Sequence, residues 1–236
     1  MAIEPRTLEV EVRACEATLE GTLTIPDDPA GIVVFAHGSG SSRLSPRNRF
    51  VADSLAARRF ATLLFDLLTP QESVEDERSL ALRFDIALLA RRLVGGLDWL
   101  GSRPEAQSLK TGLFGASTGA AAALIAAAKR PDLVGAVVSR GGRPDLARAA
   151  LSCVRAPTLL IVGGLDTAVI GMNRQAASLL ACEHRLEIVP GATHLFPEPG
   201  KLEAVAHLAG DWFWHHLPAG RRRHRRSGPV PERDGL

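Results

Sequence analysis

Residues Gly115-Ala116-Ser117-Thr118-Gly119 place a nucleophilic hydroxyl between glycines two positions to either side. The apolar run Thr111–Gly115 before the serine reads as a buried parallel strand, and the alanine-rich Thr118–Lys129 after it reads as a helix. A serine on such a sharp strand-to-helix turn projects above the end of the sheet, and glycines beside it let neighbouring backbone come close. The helix N-terminus that follows favours negative charge developing nearby. This serine can attack an acyl carbon if a base, an orienting acid and oxyanion donors accompany it. The chain offers all three. Thr158–Val162 runs into Gly163-Gly164-Leu165-Asp166, Leu186–Val189 into Pro190-Gly191-Ala192-Thr193-His194, and Ile32–Phe35 into His37-Gly38-Ser39-Gly40. In a parallel sheet these loops open on the same edge as Ser117. Ser117 is therefore expected as nucleophile, His194 as base and Asp166 as the acid that orients it. The backbone N–H groups of Ser39 and Thr118 are expected to receive the oxyanion. His37 is expected to hold the oxyanion loop, with His184, His207, His215 and His216 as bystanders.

The same residues admit other uses. A strand, a glycine turn and a helix also build dinucleotide sites, but those require G-x-G-x-x-G, which Gly112-Leu113-Phe114-Gly115 does not supply. They also want an acid closing the next strand, where Ser139 and Arg140 stand. An arginine there suits an NADP phosphate, so an NADP-binding oxidoreductase-like domain stays open, as does a non-catalytic binding protein of the same fold. A phosphate-gripping P-loop is excluded, because no Gly-Lys-Ser/Thr follows the turn. Asp166 has an alternative role as the cap of a helix beginning near Val169. No His/Cys/Asp/Glu grouping has metal-ligand spacing, so neither metal nor cofactor is expected.

Strands alternating with helices must carry these loops. Leu8–Val12 and Thr18–Ile25 predict a leading antiparallel pair, and Phe60–Leu67 and Leu133–Ser139 add buried strands. Ser45–Arg58 is amphipathic, with Phe50, Ala52, Leu55 and Ala56 as its inner side. Glu72–Glu77 reads as an acidic loop and Arg78–Leu100 as one long helix. Pro144–Leu151 is a short helix, Val169–Ala181 a longer one, and Lys201–His216 the last. The expected class is α/β: a mostly parallel sheet with a leading antiparallel pair and helices on both faces. Trp214 falls off the apolar stripe of the last helix and is expected exposed or in a subunit contact.

The 236 residues suit a single domain, expected over residues 1–218, followed by a basic tail over residues 219–236. The net charge is +2, but the tail alone holds six arginines against two acids, so the body is slightly acidic. Such a tail cannot bury enough apolar surface to order itself and is expected to be solvated. The body is expected to have no nucleic-acid face and no bilayer-spanning stretch, and Met1–Pro5, without a basic or apolar run, is not expected to act as a leader. Three cysteines outside C-x-x-C spacing fit a reducing compartment, so the expectation is a cytoplasmic protein.

The sequence resembles the α/β-hydrolase superfamily and, within it, the dienelactone-hydrolase-like group. The resemblance rests on His37-Gly38-Ser39-Gly40, Gly115-Ala116-Ser117-Thr118-Gly119, Gly164-Leu165-Asp166 and Gly191-Ala192-Thr193-His194-Leu195-Phe196, and covers roughly Leu19 to Leu217. The stretch His37–Ala52 is similar to hydrolase-like domains that some relatives fuse to a phosphoribosyltransferase. Dienelactone hydrolases proper use cysteine as nucleophile and carry a glutamate near the oxyanion loop. Ser117 and the serines Ser39 and Ser41 stand at those places here, which points to serine esterase chemistry. The resemblance implies a hydrolase acting through an acyl-enzyme on a small soluble ester, thioester or lactone, with water as second substrate and no cofactor. Little chain is left in Arg140–Pro157 for a lid, so an open site is expected. Arg43 and Arg140 are expected near its mouth as substrate-binding residues that favour anionic esters. The oligomeric state is not encoded in these patterns.

Overall fold

The computed structural model describes residues 5–217, so the basic tail lies outside the described residues. Eight strands form one sheet in the order β1-β2-β4-β3-β5-β6-β7-β8. The strands are β1 (Arg6–Ala14), β2 (Ala17–Ile25), β3 (Gly31–Ala36), β4 (Phe60–Phe65), β5 (Thr111–Ala116), β6 (Val134–Arg140), β7 (Thr158–Gly163) and β8 (His184–Val189). β1 pairs antiparallel with β2, and β2 antiparallel with β4. From β4 onward every pairing is parallel. The alternating burial of β1 and β2 fits a hairpin with one solvated face, whereas β3, β4, β5 and β7 are buried throughout and almost entirely apolar. The site-bearing loops therefore leave one edge of the sheet.

Helices α1 (Pro46–Ala57) and α6 (Lys201–His216) cover one face, packing Val51, Leu55, Val205 and Phe213 against Phe35 and Phe114 of the sheet. Helices α3 (Ile86–Gly101), α4 (Thr118–Lys129) and α5 (Thr167–Ala177) cover the other. The alanines of α4 are explained by its place: Ala120 to Ala123 are all fully buried, so the helix has no polar face and little room for longer side chains.

Three helical expectations need correction. Residues 72–77 are not a loop but the heart of α2 (Pro70–Ser79). Thr69 caps it and Glu72 reaches back to the Thr69 N–H at 2.8 Å, a capping box with proline at the first position. The long helix expected over Arg78–Leu100 is broken: Leu80 turns left-handed at φ 56°, a 3-10 turn spans Leu82–Phe84, and Asp85 caps a new helix by accepting from the Leu88 N–H at 2.9 Å. Pro144–Cys153 is a pair of 3-10 turns split at Arg148, whose φ is 50°, rather than one helix. On α1 the buried side includes Asn48 and Val51, whereas Phe50 is exposed. Trp214 is exposed along one side and packs its ring edge-on against Phe60.

Candidate active site

Ser117 takes φ 50° and ψ −120°, a conformation that costs a side-chain-bearing residue about 1–3 kcal/mol and persists only where the surroundings impose it. Those surroundings are visible. The Ser117 N–H donates to the Arg140 carbonyl at 3.2 Å, and its own carbonyl accepts from the Ala120 and Arg143 N–H groups at 3.1 Å each. The turn is thus clamped to the end of β6 and to the loop that follows. Gly119 lets the first turn of α4 press on the end of β3, since a Cβ there would collide with the Ala36 carbonyl. A Cβ on Gly38 would stand 3.2 Å from the Ser117 Cβ, so the loop after β3 lies directly against the serine.

That loop is pinned by His37. The ring accepts the Leu67 N–H at Nε2 (3.1 Å), so its proton sits on Nδ1 and is given to the Gly38 carbonyl at 3.0 Å. Burial holds this imidazole below its ordinary pKa. Beyond it, the Ser39 N–H has no acceptor among the described residues. The Thr118 N–H is one of the free donors of the first turn of α4.

Asp166 and His194 meet across the loops after β7 and β8, with His194 Nδ1 2.6 Å from Asp166 Oδ2. The loops are laced together: Gly164 N–H donates to the Val189 carbonyl at 2.8 Å and Leu165 N–H to the Ala192 carbonyl at 2.9 Å. Gly163 makes this approach possible, because a Cβ there would stand 2.5 Å from the Ala192 carbonyl oxygen. Asp166 does occupy the cap position of α5, yet its side chain makes no capping bond and turns to the histidine instead. Glu198, absent from the sequence expectations, braces the histidine loop by accepting from the Thr193 hydroxyl at 2.6 Å and the Thr193 N–H at 3.1 Å. The Thr193 hydroxyl holds the Glu198 carboxyl below the ordinary carboxylate range. Its signal in the sequence was a lone acid four residues after a candidate base, too weak to separate from a solvated charge. Ser117 Oγ and His194 Nε2 have no hydrogen-bond partner among the described residues. The structure thus joins Asp166 directly to His194 and records no hydrogen bond between His194 and Ser117.

The two arginines expected at the mouth part ways. Arg43 is committed to the protein's own acids: Asp66 at 2.6 Å and Glu20 at 2.6 Å. Arg140 ends β6 beside Ala116, is buried, and touches Asn48 Oδ1 at 3.5 Å. Burial, and then the neighbouring Arg47, lower its pKa to about 10. A cleft of about 480 Å³ opens beside the loop after β3, lined among others by Ser39, Ser41, Leu44, Asp76 and Arg83. Among the described residues no group of three or more His, Cys, Asp or Glu is placed to hold a metal ion, and no helix is long and apolar enough to cross a membrane.

Known proteins place this arrangement in context. A solved structure of a dienelactone hydrolase from Anabaena variabilis is 59% identical, covers 91% of this chain and all of its own, and superposes with a TM-score of 0.90. Est1E from Butyrivibrio proteoclasticus shares the fold at 15% identity and a TM-score of 0.73, over 88% of this chain and 98% of its own. A putative phosphoribosyl transferase of Mycobacterium tuberculosis is 58% identical over 212 residues, which are 90% of this chain but 47% of that relative. This chain therefore spans about half the length of that protein. The dienelactone hydrolase family matches residues 19–214, and with the α/β-hydrolase sheet already described, the chain belongs to that family.

Proposed function

We propose that this protein is a serine hydrolase that cleaves a small soluble carboxylic ester, thioester or lactone through an acyl-enzyme. The observation that carries this proposal is the 2.6 Å contact between Asp166 and His194, made by an aspartate that leaves its own helix uncapped. With Asp166 holding the Nδ1 proton, His194 Nε2 is left with its lone pair outward, ready to take the Ser117 proton. Ser117 Oγ bonds to the acyl carbon, and the carbonyl oxygen takes up negative charge between the Ser39 and Thr118 N–H groups. Charge at the Thr118 amide is further favoured by the α4 N-terminus. The His194 proton then passes to the leaving alcohol as its bond to the acyl carbon breaks. Water attacks the ester of Ser117, giving a proton to His194, which returns it to Ser117 Oγ as the acid departs. No step calls on a cofactor. The contact between Ser117 and His194 tightens as substrate fills the site.

The cleft beside the oxyanion loop offers room for one substituent of the ester, and its serines and charges suit a short polar group rather than a lipid chain. The phosphoribosyl transfer named for the Mycobacterium tuberculosis relative is not carried over to this chain, which covers 47% of that protein. The test is labelling with a fluorophosphonate probe beside turnover of short nitrophenyl esters. Ser117 is expected to be the labelled residue, and Ser117→Ala to lose about 10⁶-fold in kcat. Labelling that survives in Ser117→Ala would overturn the assignment.

A further inference from the structure

Among the described residues, arginines at least half withdrawn from solvent come with acids, except at one place. Arg92 is paired with Glu72 at 2.8 Å, Arg83 with Asp76 at 2.6 Å, Arg143 with Asp145 at 2.8 Å, and Arg43 with two carboxylates. Arg140 has none, although only 6% of its surface meets solvent. Its Nε and Nη1 find no acceptor among the described residues. Its Nη2 reaches only the Asn48 amide oxygen at 3.5 Å, the outer limit of a hydrogen bond. Its charged neighbour is another cation, Arg47, whose Nε is also buried without an acceptor and which forms no ion pair among the described residues. A buried charge normally requires a partner, and two cations side by side deepen the penalty.

The place is the first turn of α1. Ser45 caps that helix, Pro46, Arg47 and Asn48 open it, and the turn contains no acid. Helix N-termini favour negative charge, so two guanidinium groups there invert the usual arrangement. An arriving anion would reverse all three penalties at once, and the planar forks of arginine fit the paired oxygens of a carboxylate or phosphate. The place also adjoins the chemistry. Arg140 pairs in register with Ala116, its carbonyl accepts the Ser117 N–H, and α1 is the element that the oxyanion loop leads into.

Building on the hydrolase function proposed above, we propose that Arg140 and Arg47, with Asn48, form a receptor for an anionic group, carboxylate or phosphate, carried by the ester itself. The preferred substrates are then esters bearing an acid a few bonds from the scissile carbonyl, such as half-esters of short dicarboxylic acids or phosphorylated esters.

Two measurements on the full chain test this. The first is thermal unfolding with inorganic phosphate or glutarate at ionic strength held constant with sodium chloride. At about ten times the dissociation constant either anion that fits should raise Tm by about 3–5 °C. The rise should vanish in Arg140→Met and shrink in Arg47→Met. The second is the ratio of kcat/KM for the nitrophenyl half-ester of glutarate to that for nitrophenyl butyrate. It should exceed one in the wild type, fall about ten- to a hundredfold in Arg140→Met, and recover in part in Arg140→Lys. Protection by phosphate alone assigns the receptor to phosphorylated esters, and protection by glutarate alone to dicarboxylate half-esters. A wild type indifferent to both anions, or variants protected equally well, would overturn the receptor. So would an unchanged ratio in the variants. If Arg140→Met fails to fold, Arg47→Met, on the half-buried side chain, carries both tests. Absent turnover with no labelling of Ser117 would sink the hydrolase function instead, while the unfolding measurement still decides the receptor.

Discussion

Asp85 and Asp166 sit at the same kind of position, one residue before a helix, and do different things. Asp85 accepts from the Leu88 N–H and finishes α3, whereas Asp166 leaves α5 without a side-chain cap and holds His194. The two loop histidines divide in the same way. His37 spends both ring nitrogens inside the protein, whereas His194 spends one, and its Nε2 has no partner among the described residues. Asp85 and His37, residues of the frame, spend their hydrogen bonds within the protein. Residues of the site leave a local bond unmade so that a partner or substrate can complete it. Arg92 and Arg140 extend the contrast to cations.

The contrast is sharpest for the aspartates. Asp166→Asn should lower kcat by about 10³–10⁴-fold, because an amide can donate to Nδ1 and fix the wrong tautomer. Its Tm should stay within about 3 °C of wild type. A wild-type kcat in Asp166→Asn would erase the distinction between the two positions. For the histidines the reporter is acid stability. Burial favours neutral His37 in the folded state, holding its pKa below the ordinary imidazole value. The stability linked to this group is fully present above the unfolded pKa and is lost as pH falls towards the folded one. Each pH unit below about 6.5 should cost up to about 1.4 kcal/mol until the folded pKa is reached. Urea unfolding at pH 7.5 and 5.5 measures this, and His37→Asn should flatten the dependence. A slope unchanged in His37→Asn would reassign acid lability to other groups. The smallest effect is at Asp85. Asp85→Ala should cost about 1 kcal/mol of stability and leave ester turnover alone, and Asp85→Asn, still a good cap, only a few tenths. Lost turnover in Asp85→Ala with full stability would show that the α2–α3 connection does more than frame the cleft.

Much of this architecture was legible because most buried strands are largely apolar runs with a glycine at or just past their ends. His37-Gly38, Gly115, Gly163 and the loop before His194 announced which strand ends would carry side chains of consequence. The helices between them were harder. Thr69-Pro70-Gln71-Glu72 spells out a capping box, but the acids that follow look like a loop when periodicity alone is weighed. The break at Leu80 depends on backbone turning left-handed at a residue whose type gives no warning. The inner side of α1 was misjudged at Phe50, where the buried neighbour is Val51. What the sequence could not express was pairing at a distance. Arg43 and Arg140 look alike in a string of letters, and only the folded chain brings Asp66 and Glu20 to the first and a second arginine to the other. Asp166 was open to both a capping and an orienting role for the same reason, since its partner lies 28 residues on.

The close seat of Gly119 on the Ala36 carbonyl has a consequence for how this scaffold can diversify. With no side chain between α4 and β3 at this point, Ser117 and the loop after β3 form a single block in which substitutions are felt at once. Variation is therefore channelled outward, to residues that touch the block by sequence but not by packing. Leu165 and Leu195 are exposed immediately beside Asp166 and His194, and Leu44 is exposed at the rim of the cleft. A library confined to those three positions explores new acyl and alcohol groups over an unaltered chemical engine, which makes them the natural starting points for directed evolution.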